Sequence, residues 1–135
     1  MNPITPTTMA RTMPMNQDLR LNVLVLREPA GLKEYYVAQC LEYDIVAQAE
    51  TLNDLQCAFM QLLATNIVLA LERGIEPLSN IKPAPQAYWK QWRQGISYGD
   101  HFPVSVPGDR IPENLRDLSV RIPRGEASMR IAQTV

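Results

Sequence analysis

One uncharged stretch, residues 55–71, constrains what this chain can fold into more than any other. The apolar positions Leu52, Leu55, Phe59, Leu62, Leu63, Ile67, Ala70 and Leu71 recur in steps of three and four, the period of a single stripe along a helix. Thr51 stands where a hydroxyl can accept from a free N–H of the first turn, and Asp54 favours the positive end of the helix. At the other end Glu72 and Arg73 close the run, Gly74 suits a left-handed C-terminal position, and Pro77 blocks continuation. The pattern predicts a helix of about six turns. Gln56, Gln61, Thr65 and Asn66 interrupt the stretch, which suits a helix covering a protein core better than one facing lipid. A stripe of that length needs a second apolar surface, and the residues before it supply one.

Residues 19–26 alternate, with Leu19, Leu21, Val23 and Val25 on one face and Arg20, Asn22, Leu24 and Leu26 on the other, a period-two strand signal. Pro29, Ala30 and Gly31 then mark a turn. Tyr35 to Cys40 read as a second strand, Glu42, Tyr43 and Asp44 as a tight polar turn, and Ile45 to Ala49 as a third strand. Short connections favour an antiparallel meander. Residues 78–82 are a candidate fourth strand. Pro85 can open a short second helix carrying Tyr88, Trp89 and Trp92, ended by Gly95.

Proline divides the chain. Of 11 prolines, only Pro29 falls between Pro14 and Pro77, so the compact part is expected there. Residues 1–18, rich in Pro, Thr and Met, are expected to be a flexible tail. The predicted organisation is an α/β domain over 19–83, a short helix over 84–95, and a Pro-rich extension over 96–135. In that extension, residues 96–118 read as irregular, and residues 118–122 and 128–134 as a candidate β-hairpin. The fold class is α+β: a three- to four-stranded, mainly antiparallel sheet packed against one long helix.

The net charge of −1 and a pI near 5.8 argue against a broad basic footprint, so direct nucleic-acid binding is not expected. The N-terminus lacks an apolar secretory segment. Cys40 and Cys57 have apolar neighbours and no CxxC spacing, and His101 is the single histidine, so no zinc site is expected. Two buried thiols in a reducing compartment are the expectation, and with it a cytoplasmic location.

Three segments together resemble the N-terminal domain of HicB-like antitoxins. Tyr35-Tyr36-Val37-Ala38-Gln39-Cys40 is similar to that family's second strand, Ala49-Glu50-Thr51-Leu52-Asn53-Asp54-Leu55 to its helix start, and Glu72-Arg73-Gly74-Ile75-Glu76-Pro77-Leu78 to its helix exit. They cover about half the chain. The turn Leu41-Glu42-Tyr43-Asp44 departs from the family's usual Pro-Asp-Leu-Pro-Gly, and Ala49 stands where glycine is common. The resemblance implies a fold similar to a partial RNase H fold, homo-oligomers, and sequestration of a small basic ribonuclease toxin of the HicA type. Leu118-Ser119-Val120-Arg121-Ile122-Pro123 is similar to the strand that opens a ribbon-helix-helix, but only 12 residues follow, too few for two helices.

An RNase H-like fold invites a search for metal-binding carboxylates. Glu28, Glu34, Glu42, Asp44 and Glu50 fall at strand ends or in turns, where solvated charges are ordinary, and Asp54 is explained by the helix cap. Asp100 and His101 are adjacent and cannot easily orient one another, and neither cysteine has a basic sequence neighbour to activate it. No catalytic residue, cofactor or metal site is expected. The expected partner-binding residues are Glu42, Tyr43 and Asp44, an aromatic between acids suited to a basic surface, together with Trp89. Occlusion of a toxin is the leading expectation. An orphan protein-interaction module and an oligomeric transcription regulator are the alternatives.

Overall fold

The computed structural model describes residues 18–116 and 122–133. The fold is α+β. Strands β1 (Asp18–Ala30), β2 (Lys33–Cys40) and β3 (Val46–Ala49) lead into helix α1 (Leu52–Glu72). Helix α2 (Gln86–Arg93), strand β4 (Ile96–Val104), a 3-10 turn at Gly108–Arg110 and strand β5 (Arg124–Ile131) follow. The five strands form one sheet in the order β3-β2-β1-β5-β4. Its ladders are antiparallel except β1 with β5, which is parallel.

The meander arises as the alternation predicts, with longer strands. β1 runs on through Pro29, which pairs with Glu34, and Ala30 pairs with Lys33. Gly31 and Leu32 are left as a two-residue connection, with Gly31 at φ 68°. Glycine in that position is what a type II′ hairpin turn requires. One face of β1 carries Leu19, Leu21, Val23 and Val25 into the main core. Ala38, Cys40, Ala47, Ala127 and Met129 join them there from the neighbouring strands. α1 lays Leu55, Phe59, Leu63, Ala64, Ile67 and Val68 onto that face. By length and composition alone α1 could cross a membrane, but this apolar face is packed on the sheet. Full burial of a side chain such as Phe59 or Leu55 contributes roughly 1.5–3 kcal/mol.

Both helix ends close as the sequence predicts. Thr51 is the N-cap, and its hydroxyl accepts from the Asp54 N–H at 3.1 Å. At the exit Gly74 has φ 71°, its N–H bonds the Leu71 carbonyl, and the Ile75 N–H bonds the Ala70 carbonyl. This pair of bonds is a Schellman closure.

The second face of the sheet has its own cluster. Leu24, Leu41 and Ala84 are buried there, with Leu26, Tyr88, Trp89, Trp92 and Ala132 packed against them. α2 begins just after Pro85, as expected from the ring's fixed φ. The Arg130 guanidinium lies 4.5 Å from the centre of the Trp92 ring and donates to the Trp92 carbonyl at 3.0 Å, fastening the helix to β5. A stacked pair of this kind is worth about 0.5–2 kcal/mol.

The structure corrects four expectations. The sheet has five strands and is mixed. Residues 96–104 form β4, which the internal Gly99 and Pro103 had disguised. β4 is an edge strand whose ladder to β5 shifts register between Tyr98 and Phe102, and Gly99 there has φ 70°. Edge strands tolerate such interruptions because one side needs no partner. The C-terminal strand is not one arm of a local hairpin with residues 118–122: β5 pairs with β1 and β4, and residues 117–121 lie outside the described residues. The tail expected over 1–18 also lies outside them, save Asp18.

The fourth correction concerns residues 78–82, which form turns rather than a strand. The Ser79 N–H bonds the Glu76 carbonyl at 3.1 Å, with Pro77 and Leu78 between them and Leu78 at φ 68°. This is a type II turn with leucine in the position glycine or asparagine normally takes. Left-handed backbone costs a leucine about 1–2 kcal/mol, which burial of its side chain, 4% exposed, offsets. Both Leu78→Ala and Leu78→Gly should destabilise by losing that burial, but glycine relieves the backbone strain and alanine does not. Leu78→Gly is therefore expected to be the more stable of the two by about 1 kcal/mol in urea unfolding. The opposite order would show that Leu78 carries no strain.

Candidate functional site

The turn between β2 and β3 is tied on three sides. The last β1–β2 pair is Val23 with Cys40, so the N–H of Asn22 lies beyond the ladder. Glu42 takes its place as partner: Oε1 accepts from the Asn22 N–H at 2.8 Å and Oε2 from Asn22 Nδ2 at 2.6 Å. The Leu41 N–H bonds the Asn22 carbonyl, and the Ala84 N–H bonds the Leu41 carbonyl. Asp44 is anchored twice, through its N–H to the Lys82 carbonyl at 2.7 Å and through Oδ1, which accepts from Gln39 Nε2 at 2.8 Å. Gln39 is the one buried polar side chain among the described residues, and its amide also donates to the Cys40 carbonyl. Hydrogen bonds to a carboxylate of this sort contribute about 1.5–3 kcal/mol each.

Tyr43 at the tip is half-buried against the main core. Burial raises its hydroxyl pKa, and the negative charges of Glu42 and Glu76 add to the effect. Glu76, from the exit of α1, therefore joins the same patch as Glu42. Of the four expected partner-binding residues, Glu42, Tyr43 and Asp44 stand together here. Trp89 does not: it packs into the cluster on the other sheet face, and its indole N–H donates to the Ala84 carbonyl at 3.2 Å. Ala84 is nonetheless a link between the two, since its N–H holds Leu41. The sequence pointed to Glu42 and Asp44 as charges and missed Asn22 and Gln39 as their partners, because nothing in the sequence brings residue 22 to residue 42.

A second feature is a cleft of about 550 Å³ between α1 and the segment after β4. Asn53, Gln56, Cys57, Met60, Gln61 and Ala64 form its helix wall, and Ser105, Pro107, Asp109 and Arg110 its loop wall. Arg110 clips the loop to the helix: Nη1 donates to the Gln61 carbonyl at 3.2 Å and Nη2 to the Thr65 hydroxyl at 2.7 Å. Cys57 is exposed on this cleft, which corrects the expectation of two buried thiols. Cys40 is fully buried, and desolvation pushes its thiol up to about 12.

His101 lies on β4 rather than in a loop, exposed, with Nδ1 3.3 Å from Glu126. Among the described residues no three His, Cys, Asp or Glu side chains are arranged to hold a metal ion. No family model matches the chain, and neither a curated protein nor a solved structure is significantly similar to it.

Two outcomes follow from this geometry. Native protein treated with iodoacetamide should be alkylated at Cys57 alone, with Cys40 reacting only after denaturation, as peptide mass spectrometry will read. The raised thiol also carries a pH dependence. An unfolded Cys40 ionises near its ordinary 9.0, whereas the folded one stays neutral to about 12. The unfolded chain thus releases a proton the native chain keeps, and stability should fall as pH rises through that window. Cys40→Val should make the fall shallower. Separately, Glu42→Ala leaves the Asn22 N–H without its partner and should cost about 1–3 kcal/mol in denaturant unfolding. Asp44→Ala should cost less, because Gln39 keeps its bond to the Cys40 carbonyl. Equal costs would mean that the two carboxylates play equivalent parts.

Proposed function

We propose that the chain is a HicB-like antitoxin domain that works in the cytoplasm by binding a small, basic HicA-type ribonuclease toxin and covering its active site. The observation that carries this reading is the acidic, aromatic turn. Glu42 and Glu76 both act on Tyr43 with their negative charge, and Asp44 is exposed beside it in sequence. The turn is already fixed by bonds to Asn22, Gln39 and Lys82, so docking would cost little ordering entropy. Its negative charge suits a basic partner and would speed association more than it deepens affinity.

The element order supports the same reading. An antiparallel meander, a helix covering one face and a later strand parallel to the first are the parts a partial RNase H fold would contain. The regulator alternative gains nothing from Arg124–Ile131, which is used inside the sheet. Self-association is part of the proposal, and the β3 edge is the favoured place for it. β3 is regular and carries Val46, 48% exposed, whereas the β4 edge is broken by the irregularity at Gly99 and by Pro103.

The test is capture by the tagged full-length chain from its native lysate, read by mass spectrometry. Recovery of one small basic protein that cleaves RNA until this chain is added is the expected result. Glu76→Lys, at an exposed position, should leave the melting temperature unchanged and weaken that capture roughly tenfold. Recovery of the chain only with itself would overturn the antitoxin reading in favour of an orphan module.

A further inference from the structure

The cleft between α1 and the loop after β4 holds two opposite charges that do not neutralise each other. Asp109 and Arg110 are consecutive and both line it. Among the described residues the sole ion pair within 4 Å is His101 with Glu126, so neither Asp109 nor Arg110 has a charged partner among those residues. Arg110 is half-buried, and the two acceptors it uses, a backbone carbonyl and the Thr65 hydroxyl, are neutral. Those bonds fix the guanidinium in place without satisfying its charge. A fixed, half-buried cation facing an open cleft favours an anionic group, since a carboxylate can accept the remaining guanidinium donors in its own plane. Asp109 on the same wall would repel a simple anion. A ligand carrying both charges answers both residues.

The remaining walls agree with a small organic zwitterion. Met60, Ala64 and Pro107 offer apolar surface, and Gln56 and Ser105 offer neutral donors and acceptors in the lining. A volume of about 550 Å³ lies within the ordinary range for small-molecule sites. We propose that this cleft binds a small zwitterion of the α-amino-acid class, with its carboxylate on Arg110, its ammonium group towards Asp109 and its side chain against Met60 and Pro107. The site is separate from the Tyr43 turn, and the inference stands or falls independently of the antitoxin reading.

Cys57 opens onto the same cleft and provides a built-in reporter. The full-length chain would be incubated with each common α-amino acid in turn at millimolar concentration, and with acetate and methylamine as half-ligands. Two quantities would be followed, the melting temperature and the rate of Cys57 alkylation by iodoacetamide. At least one amino acid is expected to raise the melting temperature by several degrees and to slow alkylation severalfold, as binding to the folded state alone requires. Neither half-ligand should do so. Arg110→Gln should abolish both effects. Because that change also unclips the loop, Asp109→Asn at an exposed position is the cleaner variant and should abolish them as well. Absence of any response to the amino acids would overturn the proposal. So would acetate acting as well as an amino acid, which would mean an anion site only, or a response that survives Asp109→Asn.

Discussion

The parallel pairing of β5 with β1 is the contact on which the rest of the architecture depends. Among the described residues β5 is the last strand in sequence and lies second from one edge in space, so there it is the only neighbour β4 has and supplies the second neighbour of β1. Gly125 shows how close that approach is. It sits opposite Leu19, and a β-carbon there would collide with the Leu19 backbone. Ala127 and Met129, the next residues on the same face, go directly into the core beneath α1. On the opposite face Arg130 holds Trp92, so the same strand fixes the second helix. Remove β5 and β4 loses its ladder, the cleft loses its loop wall, and α2 loses its anchor.

This dependence separates what the sequence makes legible from what it hides. The capped helix, the three-strand meander and the Pro85 helix start are set by residues close in sequence: Thr51 with Asp54, Gly31 in a tight turn, Gly74 two places past the last helical residue. Periodicity and capping read such features directly. β5 finds β1 across about a hundred residues, as between Leu21 and Ala127, and β4 finds β5 across a few tens, as between Val104 and Gly125. No local pattern encodes that choice. β4 hid for a second reason, since an edge strand can keep a glycine and a proline that would break a central one. At the candidate site the charges of Glu42 and Asp44 were legible, but their use was not. A carboxylate in a turn looks solvated until Asn22 and Gln39 are brought beside it. Cys57 was misplaced because apolar sequence neighbours on a helix point to different sides of it.

α1 illustrates why hydropathy alone is a poor guide to what an element does. Its uncharged run is long enough to suggest lipid, yet one side is the floor of the main core and another is the wall of a polar-rimmed cleft. Gln56, Gln61, Thr65 and Asn66, the residues that argue against a membrane, are used on the flanks. Thr65 and the Gln61 carbonyl receive Arg110, and Asn66 returns a bond to the Leu62 carbonyl. The helix is apolar where it meets the sheet and hydrogen-bonding where it meets the loop.

The two candidate sites differ in what holds them, and the difference bears on how each would respond to a partner. The Tyr43 turn is fixed by several bonds to three separate parts of the chain, so it presents one shape and would bind as a rigid surface. The cleft is closed by Arg110 with two hydrogen bonds to one helix, one of them to an exposed carbonyl. The same segment is also held by Val106 and Ile111, both buried in the main core, so the exposed residues between them are its least anchored part. Asp109 and Arg110 are neighbours on that one loop, at the end of the sheet where β1, β5 and β4 come together. Any ligand that binds the folded cleft and not the unfolded chain would stabilise the fold by mass action, wherever the loop adjoins the sheet.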